Sequence, residues 1–480
     1  MLKRSTFWHL LLVLSFPLLA PAQDWEPVLP FPVSDISSRQ ILDLYPDTLE
    51  DRLYIGGRFR NIGSDTFRNI VAYDGIHFYK VLDMNTCISA GCSGVFTIGR
   101  YRDEIVASLI YFEPQDGAPI VGVGSWNGEQ WHPLGGGIAL EYLNETQEYF
   151  PVTAYDFSIY DDNLYIAGYL PIIDSLPAQG VGAWDGTQWH TFNLFEGIPT
   201  DAILANSVAK YQGNLYLGDN IVLTVNGETL SDLIMYDGTA WQKVGDGLID
   251  GLTNLHDVEV FQDKLYVAGY FAQSDGNPGN SIMSWDGDQW NDLGGGVCGL
   301  GIIDDLFVYK DKLYVCGLFD CISGIEAHNL AVWDGTKWCS IGHSTFNQPV
   351  NTIAVWRDTV YVGGGFYQIN GQPVRHLARF VGDPSGSVCS EPISALEPVP
   401  DVSSDLSLYP NPVSNMLTIN HSSFKGSIRY EVVDLSGRTQ WSCADCPDLQ
   451  EVLVADWPAG SYLVRAIGAY GVVVKGFVKR

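Results

Sequence analysis

The side chains in this sequence best suited to chemistry are carboxylates set beside aromatic rings. Glu141, Tyr142, Glu145 and Glu148 fall within eight residues, and Asp174, Asp219, Asp275 and Asn277 follow at wider intervals. Hard oxygens of this kind suit sugar hydroxyls or calcium. Two of them close together, one desolvated, would suit acid–base work on a glycosidic bond. The sequence leaves the metal undefined, with calcium the one this donor set fits, and implies no other cofactor. Other constellations fall short. There is no Gly-x-Ser-x-Gly elbow, His-Glu-x-x-His pair or phosphate loop. Gly135-Gly136-Gly137 and Gly294-Gly295-Gly296 lack the following Lys-Ser/Thr and read as turn glycines. His190, His328 and His376 could share one face but read as surface histidines. Cys443-x-x-Cys446 has no second pair at zinc-ligand spacing.

The elements that must position these residues are repeats. Leu53-Tyr54-Ile55-Gly56-Gly57 recurs as Leu164-Tyr165-Ile166-Ala167-Gly168, Leu215-Tyr216-Leu217-Gly218, Leu265-Tyr266-Val267-Ala268-Gly269, Leu313-Tyr314-Val315-Cys316-Gly317 and Val360-Tyr361-Val362-Gly363-Gly364, with a weaker copy at Ile105-Val106. A second phrase follows each copy, as in Trp184-Asp185-Gly186…Trp189 and Trp333-Asp334-Gly335…Trp338. Asp-Gly between apolar residues signals a hairpin, because the turn needs positive φ. Each unit therefore reads as four antiparallel strands, A to D, and seven units predict an all-β, seven-bladed β-propeller. A seven-repeat β-solenoid is the runner-up, and the antiparallel hairpins within every unit argue against it. The seventh unit lacks a Trp-bearing strand D, and Trp25-Glu26-Pro27-Val28 looks like that missing strand. Placed in the last blade, it would close the ring and cover an open edge.

Tryptophans repeated at fixed unit positions read as core and turn supports, so function is expected where the units differ. The A–B and C–D turns are short. Length and variation sit in the B–C and D–A connections, 135–150, 169–179, 219–231 and 270–280, which carry the carboxylates and aromatics named above. One face is thus elaborated and is the expected binding face.

The glycine pair after strand B and the aromatic pair around the C–D turn resemble those of kelch-like propellers over roughly residues 24–383. The resemblance is partial, since several units have Ala-Gly or Cys-Gly and the aromatic spacing differs. Copper-radical oxidases share such folds, but nothing in the sequence favours their Tyr–Cys crosslink and paired histidines. The Asp-Gly phrase is also similar to the sialidase Asp-box. There the two residues are separated by one, whereas here they are adjacent, so sialidase activity is not carried over.

Charge divides the 480-residue chain. Residues 23–404 hold 17 basic and 49 acidic residues, while 405–480 hold seven of each. So acidic a region repels nucleic acid and anionic membranes and suits solubility outside a cell. Lys3 and Arg4, the apolar Phe7–Leu19 and Ala20-Pro21-Ala22 form a signal peptide over residues 1–22. No other run is long and apolar enough for a membrane span. Nine cysteines are compatible with export. Cys87/Cys92, Cys316/Cys321 and Cys443/Cys446 are close enough for local bridges, with Cys298, Cys339 and Cys389 remaining; pairing is not deducible.

Residues 384–404 form a Pro-, Ser- and acid-rich linker. Beyond it, Leu408-Tyr409-Pro410-Asn411-Pro412-Val413, Met416-Leu417-Thr418-Ile419, Tyr430 to Arg438, Ala459 to Arg465 and Lys475-Gly476-Phe477-Val478-Lys479-Arg480 read as short strands of a small immunoglobulin-like β-sandwich. In order and motif, residues 405–480 resemble the type A sorting domain of the type IX secretion system. The resemblance implies passage through the periplasm and outer membrane by that machinery, cleavage of the domain, and release or surface attachment of the cargo. The expected function is that of a secreted or surface-attached protein whose variable face binds an extracellular glycan or protein. A polysaccharide hydrolase or lyase using the loop carboxylates is the rival, and a structural propeller with exposed Ile172, Ile173 and Leu176 is a third reading.

Overall fold

The computed structural model describes most of residues 24–382, residues 389–390 and most of 406–480; among the segments outside it are 1–23, 29–39, 82–93, 113–119, 137–151, 193–202, 249–253, 383–388, 391–405 and 422–428. The signal peptide therefore lies outside the described residues, as do Cys87, Cys92 and all of the expected linker except Cys389 and Ser390.

Between Trp25 and Phe380 the strands form seven four-stranded antiparallel sheets, each one blade of the propeller. Their innermost strands are Gln40–Asp47, Ile98–Tyr101, Thr153–Tyr160, Ala205–Tyr211, Asn254–Phe261, Ile302–Tyr309 and Val350–Trp356. Neighbours in this series touch, and the last touches the first, so the blades (numbered 1 to 7 in chain order) form a closed ring. Trp25–Pro27 completes blade 7, with Trp25 opposite Phe380 and Pro27 opposite Ala378. Trp25 is fully buried, with its ring edge-on to Phe346 and Phe380. The strand expected to be missing from the seventh unit is thus supplied by the N-terminus.

The outer part of the ring is held by the Asp-Gly turns. In six blades the first turn residue (Asp74, Asn127, Asp185, Asp237, Asp286 or Asp334) accepts two successive backbone N–H groups through Oδ1. This is an Asx turn, which substitutes a side-chain acceptor for a backbone one. The flanking aromatics pack with ring centroids 5.2 Å apart in Trp285–Trp290 and Trp333–Trp338. The second tryptophan also reaches the preceding blade: the Nε1–H groups of Trp131, Trp189, Trp290 and Trp338 donate to Val81, Leu134, Val244 and Leu293 carbonyls. The repeated aromatics are core and turn supports.

The B–C connections are more regular than their sequences suggest. Four contain a two-stranded ribbon, at Asn61–Ile62/Asp65–Thr66, Ile172–Ile173/Leu176–Pro177, Cys321–Ile322/Ile325–Glu326 and Gln368–Ile369/Gln372–Pro373. Ile173, Ile322 and Ile369 are fully buried, so the last three ribbons are each pinned to their blade by one branched apolar side chain.

Cys298 bonds to Cys321 and Cys339 to Cys389. Cys316 remains a buried thiol, so the local Cys316/Cys321 bridge does not form: Cys321 turns outward into its ribbon while Cys316 stays in the second strand of blade 6. Residues 389–390 lie against blade 6, where the Ser390 N–H donates to the Trp338 carbonyl and the Trp338 N–H to Ser390 Oγ.

The C-terminal domain is a sandwich of a three-stranded sheet (Leu406–Tyr409, Met416–His421, Leu449–Leu453) and a four-stranded sheet (Thr439–Cys443, Arg429–Asp434, Gly460–Gly468, Gly471–Lys479). Its core is Leu406, Leu417, Ile419, Tyr430, Val432, Val452, Val464 and Phe477.

Candidate functional site

The innermost strand of each blade has one edge facing the ring axis, where its N–H groups meet no further strand. Side chains supply the missing acceptors. The equivalent position in the seven strands is Asp43, Thr97, Asp156, Ser207, Asp257, Asp305 and Thr352, an oxygen-bearing residue each time. Asp43 accepts the N–H of Ile98 in the next blade at 2.5 Å. Asp156 accepts Val208 N–H at 2.8 Å, Ser207 accepts Val258 N–H at 3.0 Å, Asp257 accepts Leu306 N–H at 2.7 Å and Asp305 accepts Ile353 N–H at 2.8 Å. The ring is latched from blade to blade around its inside.

Four of the latches are carboxylates that face one another across the axis. They retain some surface towards the axial opening but are enclosed by the blades. Burial pushes Asp43 up to about 7. Burial and the facing Asp257 carboxyl raise Asp156 and Asp305, and burial raises Asp257 itself. Two positions further along the same strand, burial and Asp257 push Glu259 up to about 8.

One residue before each latch the strand bulges. The register skips Leu42, Tyr155, Asn206, His256, Asp304 and Asn351, and Phe96 takes this place in blade 2. A bulge re-aims the side chain of its extra residue. Glycine on the second strand makes room for it. A Cβ at Gly168, Gly269 or Gly317 would stand 2.0, 2.1 or 2.1 Å from the carbonyl oxygen of Thr153, Asn254 or Ile302. The glycine that ends the Leu-Tyr-Val phrase is therefore the sequence trace of the bulge.

The seven bulge residues are half-buried, and several are joined to one another or to the start of the next blade's inner strand. Phe96 and Tyr155 pack edge to face at 5.3 Å, with the Arg58 guanidinium over Phe96. His256 Nδ1 lies 2.8 Å from Asp304 Oδ1. The Asn206 amide donates to Leu255 O and Asn254 Oδ1, and Asn351 donates to Ile41 O. The result is a collar at the axial mouth, on the side of the B–C and D–A connections. Leu42, Phe96 and Tyr155 form an apolar arc; Asn206, His256, Asp304 and Asn351 form a polar one.

The residues singled out from the sequence are placed differently. Glu141, Tyr142, Glu145, Glu148 and Asp275 lie outside the described residues. Asp219 lies in the strand Asn214–Val225, opposite Ala205. Asp174 is exposed and takes positive φ at a ribbon tip with Ser175, a conformation that aspartate tolerates better than most residues. Asn277 is 1% exposed and its Oδ1 accepts the Leu248 N–H; it is a buried loop support, not a surface contact. His190 Nε2 meets Asp185 Oδ2 on a C–D turn, His328 meets Glu326, and His376 Nδ1 meets the Gly364 carbonyl, so the three histidines do not converge. Among the described residues no group of three or more His, Cys, Asp or Glu side chains is arranged to hold a metal ion, and no helix is long and apolar enough to cross a membrane.

Residues 407–480 match the family described as the secretion system C-terminal sorting domain. Residues 358–390 match a β-propeller domain of unknown function. No curated protein matches the chain. Among solved structures, PorZ, an essential surface component of the type IX secretion system of Porphyromonas gingivalis, is 12% identical with a TM-score of 0.43, covering 94% of this chain and 61% of PorZ. A fungal alcohol oxidase of the AA5 family, in complex with copper, is 14% identical with a TM-score of 0.39, covering 95% and 99%. The extracellular domain of the one-component system BT4673 from B. thetaiotaomicron is 11% identical with a TM-score of 0.28, covering 94% and 76%. The chain spans about three fifths of the length of PorZ. This chain therefore carries a type IX C-terminal sorting domain behind a β-propeller, and is delivered to the cell surface or the extracellular space.

Proposed function

We propose that the protein is a binding module outside the cell, and that its ligand is a hydroxyl-rich glycan taken at the collar of the propeller. The observation that carries this reading is the division of the collar. An arc of Phe96 and Tyr155 offers ring faces and edges, as sugar rings require, and the arc opposite offers amide, imidazole and carboxylate groups. Convergent polar groups beside an apolar wall are the usual make-up of a small-ligand site. The elaborated B–C and D–A connections surround this mouth and give a longer glycan, or a protein, further surface to contact.

The test is calorimetric titration of the full chain with a panel of oligosaccharides, followed by Tyr155→Ala and His256→Ala. We expect one saccharide class to bind and each substitution to weaken it at least about tenfold, the loss of one good contact. Binding unchanged in both variants would move the site off the collar. A protein ligand would leave the saccharides inert while the same variants weakened that complex.

One observation favours a second reading. His256 and Asp304 form an imidazole–carboxylate pair through Nδ1 and Oδ1, and their side chains are 26% and 23% exposed. Such a pair can move a proton, so the polysaccharide hydrolase or lyase remains the alternative. Release of reducing ends by the wild type, abolished in His256→Ala, would establish it.

A further inference from the structure

Below the collar, Ser207 Oγ lies 2.9 Å from Asp156 Oδ2 and 3.0 Å from Asp257 Oδ1, and accepts the Val258 N–H at 3.0 Å. A serine hydroxyl has one hydrogen to donate and two lone pairs to accept with. One lone pair takes the Val258 N–H, and the single hydrogen serves one carboxylate. If both aspartates were ionised, the second carboxylate would face an oxygen lone pair at hydrogen-bond distance with no hydrogen between them. A proton on one carboxyl group resolves this: that acid donates to the remaining lone pair of Ser207, and all three contacts become hydrogen bonds.

Asp257 accepts the Leu306 N–H at Oδ2, and its Oδ1 shares the Val258 N–H with Ser207 Oγ. Asp156 Oδ2 accepts the Val208 N–H and meets Ser207. We propose that Asp156, Ser207 and Asp257 hold a shared proton on the propeller axis, one carboxyl being the acid and the other the anion, so that acidification strengthens the closure of the ring.

The ionisable groups facing this triad are Asp43 of blade 1, His256 and Glu259 of blade 5, and Asp304 and Asp305 of blade 6, with Tyr160 on the strand of Asp156 itself. Burial raises Asp43, Asp156, Asp257, Asp305 and Glu259 together, and the Asp257 carboxyl adds repulsion at the other four. The sign follows. Over the window between an ordinary carboxyl value and these raised values, the folded chain binds more protons than the unfolded one. Stability is therefore fully present at the acid end of that window and falls as pH rises through it.

The experiment is the melting temperature of the full chain from about pH 8 to about pH 5, for the wild type and Asp156→Asn. The wild type should melt higher on acidification. Asp156→Asn removes one of the two carboxyls that share the proton and keeps a polar side chain of the same shape, so this variant should fold and show a shallower rise. Infrared difference spectra at neutral pH give a second reading that needs no variant: the carbonyl band of a protonated carboxylic acid should be present in the native wild type and vanish on unfolding. If Asp156→Asn folds, it should weaken that band. A melting temperature that stays flat or falls on acidification, or native protein without the acid band, would overturn the proposal. An Asp156→Asn profile parallel to that of the wild type would overturn the assignment to this triad.

Discussion

Two sets of aspartates repeat through the blades, one on the outer turns and one on the axis, and they use the same bond for opposite electrostatic ends. Asp185 and Asp334 accept the hydroxyl of Thr187 or Thr336 and successive N–H groups within their own exposed turns, and those hydrogen bonds, the hydroxyl first, hold both carboxyls below the usual range. Asp43 and Asp305 accept N–H groups from the neighbouring blade, yet burial raises both. The difference lies in what else each carboxylate meets. A turn aspartate meets water, whereas an axial one meets other carboxylates in a low-dielectric enclosure. The outer set shapes single hairpins, and the inner set joins blades.

The closure strand sets the scale for both. Deleting residues 24–28 removes the buried Trp25 and leaves blade 7 with three strands. Removal of a buried tryptophan alone costs about 3–5 kcal/mol, so the variant should show the lowest melting temperature of the series; a wild-type value would mean that the ring does not depend on this strand.

Next comes the axis. Asp257→Ala leaves the Leu306 N–H without its acceptor, while the Ser207 hydroxyl keeps Asp156. We expect a loss of about 2–3 kcal/mol in denaturant unfolding. A stabilised variant would mean that relief of carboxylate crowding outweighs the latch, and would break the contrast. The pH profile then separates the sets. Between about pH 4 and about pH 8 the axial groups should make stability fall as pH rises, while the turn aspartates lose their contribution only at lower pH. Asp334→Ala, which frees two N–H groups that water can reach, should cost about 1 kcal/mol. Asp334→Asn should be smaller still, because Asn127 already makes the same turn in blade 2.

The outer set was legible in the sequence because its chemistry is local. Asp-Gly fixes a turn within four residues, and paired tryptophans frame it. The axial set was hidden for two reasons. Its residues alternate among Asp, Ser and Thr, so no single letter repeats. The partners also lie in adjacent blades, as with His256 and Asp304, and no local pattern joins them. A trace was present in the glycine after Leu-Tyr-Val, which read as a blade marker and is also the space left for a bulge. The carboxylates proposed from the loops were chosen by type and loop length. Asn277 shows the weakness of that choice: a polar residue in a long connection can be there to satisfy a buried backbone amide.

The bond between Cys339 and Cys389 has a mechanical meaning. The chain leaves blade 7 at Phe380 and is fastened to blade 6 before it runs on towards the sorting domain. Tension applied to the C-terminal tail reaches this covalent tether first and passes into the outermost strand of blade 6. The short pairing of Trp25–Pro27 with Leu377–Phe380, which would peel apart one hydrogen bond at a time, is kept out of the line of force. A protein drawn outward by its tail, or held at a cell surface by it, would bear that load without unzipping its weakest seam.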